Sequence, residues 1–330
     1  MKKFINEVSE VENEMILGLV KAYPDSLKKL DEFNVVTRKN KKEDKVALIS
    51  GGGSGHEPAH AGYVGEGMLD AAVAGAVFTS PAPDAIYEAI REVDAGKGVL
   101  MVIKNYTGDI MNFEMAAEMA EMDDIRTAKV VVMDDVAVKD STWTIGRRGV
   151  AGTVFVHKIA GARAEEGASL EEVAEIGQKV ADNVRTMGVA IAPCTSPAAG
   201  KPGFELAEDE MEVGLGIHGE PGVRKEKLKS ADEIAEELLD HVISDFDSLE
   251  NEEVALLING CGGTPLMELY IVNNHVQDVL KEKNIKVYRT YVGNYMTSME
   301  MQGFSISLLK LDEEMKRLLD AKADTPAWKE

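Results

Sequence analysis

Along the first half of the chain, short apolar runs alternate with stretches whose apolar positions recur every three or four residues. Residues 10–22 set Val11, Met15, Leu19 and Val20 near one face of a helix. Residues 45–50 read as a strand entering the glycine-dense stretch ISGGGSGHEPAHAGYVGEG, residues 49–67. A small-residue segment fills 68–77. FTSPAPD, residues 78–84, reads as a loop, because Ser80 precedes Pro81 and is pushed out of helical geometry. Asp84 is placed to cap a helix over 85–94. A strand over 98–104 (GVLMVIK), a loop NYTGD, a methionine-rich helix over 112–122 and a third strand over 129–133 follow. GRRGVAGTVFVHKIAGA and SLEEVAEIGQKVADNVRTMG then read as two helices. Strands alternating with helices imply a parallel sheet joined by right-handed crossovers, with ligand sites at the carboxyl ends of the strands.

After Gly188 the pattern changes. GVAIAPCTSP, MEVGLGIHGEPGV, EEVALLING, IKVYRTYVGNY and GFSISLLKL read as short strands, with helices near 231–243 and 265–281 and a charged helix over 312–322. The expected fold class is α/β with two domains. Residues 1–185 form a three-layer sandwich with a mainly parallel sheet, carrying the glycine loop and Asp109. Residues 186–330 form a smaller α+β domain with a mixed sheet, carrying His218. A chain of 330 residues with 45% hydrophobic residues is long enough for two cores.

The formal net charge of −22 sets aside nucleic acid and anionic membranes as partners. Two cysteines without CxxC spacing argue against a disulfide framework or a zinc site. No apolar run has the length of a membrane span and no signal-peptide core opens the chain, so a cytoplasmic protein is expected.

The glycine stretch invites comparison with a phosphate cradle. GGGSGHEP lacks the Gly-Lys-Ser/Thr of a Walker loop and does not spell GxGxxG leading into a helix. Gly51, Gly53 and Gly55 would instead let backbone N–H groups approach a small ligand. His56, in the middle of the loop, is a candidate base, although a histidine here also suits a cap on the following turn. Lys104 and Asp109 lie just beyond a buried strand; a carboxylate near an imidazole favours proton exchange with a substrate hydroxyl, whereas a solvated Lys–Asp turn is the plainer alternative. His218, flanked by Ile217 and Gly219, suits a neutral and accessible nucleophile. His60 is read as structural, because no HExxH is spelled and a metal pair would lack a third ligand. Met115, Met119 and Met122 have helical spacing and read as core or packing surface. Arg147 and Arg148 would pair with a partner or with nearby carboxylates.

Taken together, LISGGGSGHEPAHAGYVGEGML, FTSPAPD, IKNYTGD, TIGRRGVAGTVFVHKIAGA, EVGLGIHGEPGV, NGCGGTPLMELYI and VGNYMTSMEMQGFSISL closely resemble the dihydroxyacetone-binding K subunits of dihydroxyacetone kinases. The resemblance covers nearly the whole chain. It implies that His218 binds the ketone carbon as a hemiaminal, that His56 is the second catalytic histidine and Asp109 the catalytic carboxylate. Gly53, Ser54, Gly55 and Lys104 then join these three as substrate-contacting positions, with no metal on this chain. The sequence ends at Glu330 without the helical nucleotide-binding domain that single-chain members append. The resemblance therefore implies a separate L-type subunit holding ADP or ATP with magnesium, recharged indirectly by a phosphocarrier M-type subunit, and a K homodimer. Two other readings belong beside it. One is a non-enzymatic, dihydroxyacetone-sensing coactivator. The other makes Lys104 a Schiff-base former.

Overall fold

The computed structural model describes residues 2–138, 146–219 and 222–330. In chain order these form α1 (Val11–Ala22), β1 (Leu27–Lys29), β2 (Val35–Arg38), β3 (Ala47–Ser54), β4 (Ala71–Val77), α2 (Pro83–Val93), β5 (Val99–Lys104), α3 (Thr107–Met122), β6 (Thr127–Val132), α4 (Thr153–Glu165) and α5 (Leu170–Asp182). The second half follows with β7 (Val184–Ala192), β8 (Glu210–Val213), β9 (Arg224–Lys227), α6 (Ala231–Ser244), β10 (Glu253–Gly260), α7 (Leu266–Glu282), β11 (Lys286–Gly293), β12 (Gln302–Leu311) and α8 (Glu313–Leu319). Residues 220 and 221 of the expected strand MEVGLGIHGEPGV, and residues 144 and 145 of TIGRRG, lie outside the described residues.

The first sheet has the order β1-β2-β4-β3-β5-β6. β4, β3, β5 and β6 run parallel; β2 joins β4 and β1 joins β2 antiparallel. Alternate side chains of the central strands leave by opposite faces. Ala47, Ile49, Met101 and Ile103 meet Ile86, Ile90 and Phe113 of α2 and α3. Leu48, Leu100 and Val102 meet Val154, Phe155, Ile176 and Val180 of α4 and α5 on the other side. The result is the expected three-layer sandwich.

The second sheet is also six-stranded, in the order β11-β10-β12-β7-β8-β9, and is mixed as expected: β10 and β11 are parallel and the other pairs antiparallel. Val254, Leu256 and Ile258 of β10 face α6 and α7. Ala255 and Leu257 face the other way and join the core of the first half, with Leu309, Leu311, Leu318 and Trp328. The tail after α8 thus packs against the first sheet's helices. Among the described residues no helix is long and apolar enough to cross a membrane.

Five local expectations are corrected, the first being the helix expected over GRRGVAGTVFVHKIAGA, which begins only at Thr153. β3 does not stop at Ser50 but runs through the glycines to Ser54. Helix α2 starts at Pro83, so Asp84 lies in its first turn and Ala82 is the N-cap, without a side-chain cap. α3 begins at Thr107 rather than Asn112, which moves Asp109 from a loop into the first helical turn. The helix expected to run on through NVRTMG ends at Asp182, and β7 begins at Val184. β1, β2, β4 and β9 were not foreseen as strands.

Candidate active site

The carboxyl ends of β3 and β5 meet the segment that follows β8 at a cleft of about 700 Å3, lined among others by Gly53, Phe78, Tyr106, Asp109, His218 and Gly219. The glycines of β3 are dictated by close packing. A Cβ on Gly52 would lie 2.4 Å from Lys104 Nζ, and one on Gly53 would lie 2.5 Å from the Thr79 backbone nitrogen. Gly55 has φ +101°, a conformation open to glycine, and its N–H donates to the Glu57 carboxylate, 3.1 Å from each oxygen. Ser54 turns its hydroxyl away to donate to the Gly75 carbonyl at 2.8 Å. Of the three, Gly53 is the one that borders the cleft.

His56 is fully buried, and its Nδ1 sits 2.8 Å from the Thr297 carbonyl oxygen. A carbonyl only accepts, so Nδ1 carries the proton and Nε2 presents a lone pair. That Nε2 is buried with no hydrogen-bond partner among the described residues. Burial, and then the positive field of Lys104, lower the His56 pKa to about 3 against the opposing Thr297 hydrogen bond. The ring is therefore neutral at ordinary pH.

His218 is half-buried and meets His56 edge to face, with ring centroids 4.8 Å apart. Tyr106 and Phe78 pack against it at 4.4 and 5.6 Å. Burial, then the neighbouring His56, Lys104 and Arg148, hold its pKa well below the ordinary histidine value. Phe78 also stacks on His56 at 5.2 Å and has φ +58°, a strained conformation for a bulky residue.

Asp109 is buried at the start of α3, where the helix dipole favours its negative charge. Burial pushes its pKa up, while Lys104 and a hydrogen bond from the Ser80 hydroxyl pull it down. Lys104, at the end of β5, is fully buried behind the cleft wall. Its Nζ lies 3.6 Å from Asp109 Oδ2, donates to the Gly51 carbonyl at 3.2 Å and sits 3.0 Å from His60 Nε2. Burial lowers its pKa against the pull of Asp109.

The structure thus brings Asp109, His218 and Gly53 to one cleft, with His56 buried against His218 and Lys104 behind Asp109. His60 is internal, as expected, but it touches Lys104. Arg147 pairs with Asp245 and Arg148 with Asp135, so nearby carboxylates engage both arginines. Met115 and Met122 are exposed and Met119 is half-buried, so the stripe is surface rather than core. Phe78, Ser80, Tyr106 and Thr297 were missed. FTSPAPD and NYTGD flagged the neighbourhood of the first three; Thr297 acts through a backbone carbonyl, which no side chain announces.

Residues 17–327 match the family model described as the Dak1 domain, a span that takes in both sheets and every group of this cleft. The chain belongs to the Dak1 family. It is 54% identical over 329 residues to the dihydroxyacetone-binding subunit DhaK of PTS-dependent dihydroxyacetone kinase 1 from Listeria innocua, covering 99% of this chain and 100% of that protein. It is 45% identical over 351 residues to the corresponding subunit of the PEP-dependent kinase of Escherichia coli, covering 99% of each. Among solved Dak1-like structures, the dihydroxyacetone kinase of C. freundii in complex with AMP-PNP and Mg2+ superposes with a TM-score of 0.92 at 33% identity, over 99% of this chain and 61% of that one. The dihydroxyacetone kinase operon co-activator DhaQ superposes at 0.89 with 40% identity over 98% of both chains.

Proposed function

We propose that this Dak1 chain is the dihydroxyacetone-binding subunit of a dihydroxyacetone kinase. It captures the ketone covalently on His218 and supports phosphoryl transfer to a terminal hydroxyl, giving dihydroxyacetone phosphate. The observation that carries this reading is a pair of uncharged imidazoles in edge contact: His218 lines the cleft with Asp109, and His56 is buried against His218. Dihydroxyacetone is small and uncharged, so noncovalent contacts alone give it limited affinity. A neutral His218 nitrogen attacks the carbonyl carbon. The carbonyl π pair moves to oxygen, which takes up a proton as the imidazole loses one from its other nitrogen. The product is a hemiaminal. Glycerol has no carbonyl and forms no such bond, so selectivity follows from reaction type. The unpaired Nε2 of His56 and the Asp109 carboxylate then orient the terminal hydroxyl and accept its proton as the phosphoryl group arrives.

On this reading the nucleotide, ADP or ATP with magnesium, is held by an L-type partner over the cleft, and a phosphocarrier subunit acts at one remove. Met111 and Met115 are exposed on α3, whose first turn carries Asp109, and provide an adaptable apolar surface beside the cleft. Leu266, Met267, Tyr270 and Ile271 are exposed on α7 and suit a second copy of the chain. The structure gives the Schiff-base alternative little support, because the Lys104 amine is fully buried and hydrogen-bonded.

The co-activator likeness supports a second reading, a ligand sensor without catalysis. Reconstitution with an L-type subunit separates the two. Formation of sugar phosphate from phosphocarrier or ATP, abolished or reduced about 10²- to 10⁴-fold by Asp109→Asn, is the expected result. Absence of product with every donor, alongside intact ketone binding, contradicts the kinase reading.

A further inference from the structure

Behind Asp109 lies a buried row of polar groups, Lys104, His60 and His157, that the proposed chemistry does not use. His60 is buried and His157 fully enclosed, and the row runs from Asp109 through Lys104 and His60 to His157. Lys104 Nζ is 3.0 Å from His60 Nε2, and His60 Nδ1 is 2.9 Å from His157 Nε2. His157 Nδ1 is buried with no partner among the described residues.

Hydrogen-bond valence gives this row a direction. An ammonium has no lone pair and can only donate, so a charged Lys104 requires His60 Nε2 to accept. A neutral His60 then carries its proton on Nδ1 and donates to His157 Nε2. Ser50 Oγ, whose own proton goes to the Val102 carbonyl at 2.7 Å, is a longer second acceptor for His60 Nδ1 at 3.3 Å. His157 in turn carries its proton on Nδ1, the buried nitrogen without a partner. A neutral Lys104, which has a lone pair, permits every arrow to reverse. It would accept from His60 Nε2–H, His60 Nδ1 would accept from His157 Nε2–H, and His157 Nδ1 would keep only a lone pair. The state of His157 is therefore tied, two hydrogen bonds away, to the charge facing Asp109.

We propose that His60 and His157 are positioning residues: an imidazole relay of fixed polarity that holds Lys104 as an ammonium directed at the Asp109 carboxylate. Three acceptors, the Gly51 carbonyl, His60 Nε2 and Asp109 Oδ2, surround Lys104 Nζ at 3.2, 3.0 and 3.6 Å, one for each of its protons. The ionisable groups facing the row are His56 and Tyr63 from the segment after β3, Asp109 from α3, His157 from α4 and His218 from the second half; β3 contributes only glycines and Ser50. Burial drives Lys104 towards losing its proton and Asp109 towards gaining one, so the pair stays ionised only while its neighbours accept from the ammonium. Removing the relay's last acceptor frees His60 to turn its Nε2–H towards Lys104. That tautomer disfavours the ammonium and raises the pKa of Asp109.

The inference rests on the kinase reading for its consequence, but its structural part is tested without activity. The side-chain nitrogens of the six histidines are read in a long-range 1H–15N spectrum of the whole protein at pH 7. His60 and His157 are assigned by loss of their signals in His60→Gln and His157→Gln. Both rings are expected as neutral Nδ1–H tautomers. An Nε2–H tautomer or an imidazolium at either position overturns the relay. In the reconstituted kinase assay, His157→Leu should move the acid limb of the pH–rate profile up by roughly one unit, about a tenfold loss on that limb. His157→Gln, whose amide oxygen accepts in place of Nε2, should leave it near wild type. A wild-type limb in His157→Leu overturns the positioning role. If His157→Leu does not fold, the tautomer spectrum decides alone. A wild-type system that makes no sugar phosphate refutes the kinase reading and leaves the spectrum still able to judge the relay.

Discussion

The chemistry proposed for His218 depends on a lone pair, and that pair is available only while the ring is uncharged. Burial and the nearby cations hold both His218 and His56 below the ordinary histidine range, His56 to about 3. Protonation, which would remove the nucleophile, is therefore displaced to lower pH than in a free imidazole. Adduct formation should be level between about pH 7.5 and pH 6, by which an ordinary histidine of pKa near 6.5 would already have lost about three quarters of its capacity. Adduct occupancy by intact-protein mass spectrometry across that range checks this; a midpoint near 6.5 contradicts the neutral, buried ring. His56, Lys104, Asp109 and His218 were all legible as candidates because their side chains carry chemistry and lie at or shortly after the ends of strands. Their partners were less so. The tautomer of His56 is set by the Thr297 carbonyl, and His218 is walled by Phe78 and Tyr106, residues whose role depends on contacts far along the chain.

At the scale of elements, β3 illustrates why a glycine run misleads. Gly51, Gly52 and Gly53 form a strand interior, and their missing side chains make room for Val73, Lys104 and the Thr79 backbone. Gly52→Ala should fold, yet force the Lys104 amine away from Asp109, because the new Cβ would lie 2.4 Å from Nζ. We expect kinase activity at pH 7 to fall sharply while ketone binding persists; an unchanged rate would show that the Lys104–Asp109 geometry is immaterial. The strands the sequence concealed have physical reasons too. β4 is built of small residues buried for most of its length, so it shows no alternation. β1 and β2 are short. The start of α3 carries no capping side chain, so Thr107, Gly108 and Asp109 looked like a turn. The alternation of β5, β6, α4 and the amphipathic α6 was plain by contrast.

The whole molecule brings His218, the proposed nucleophile, from the second half against His56, the proposed base, from the first, and a buried ion pair helps fix that geometry. Arg148 pairs with Asp135 and donates to the Gly214 carbonyl at 2.9 Å, four residues before His218. Burial pushes the Asp135 pKa up to about 6, with Arg148 opposing. Arg148→Met leaves a buried carboxylate without its cation and should cost about 3–5 kcal/mol at pH 7. Asp135 then rises further, so the folded variant takes up a proton that the unfolded chain releases. The deficit relative to wild type should narrow as pH falls towards about 5. Denaturant unfolding at the two pH values measures it, and a deficit independent of pH would mean that lost packing, not the unpaired charge, is the cause.

Covalent capture by His218 is the central claim, and intact-protein mass spectrometry after exposure to dihydroxyacetone tests it most directly. The account predicts an adduct of the full mass of the ketone, without loss of water, present in the wild type and in Asp109→Asn and absent from His218→Ala. An adduct that survives in His218→Ala, or one lighter by a water and mapping to Lys104, would contradict it.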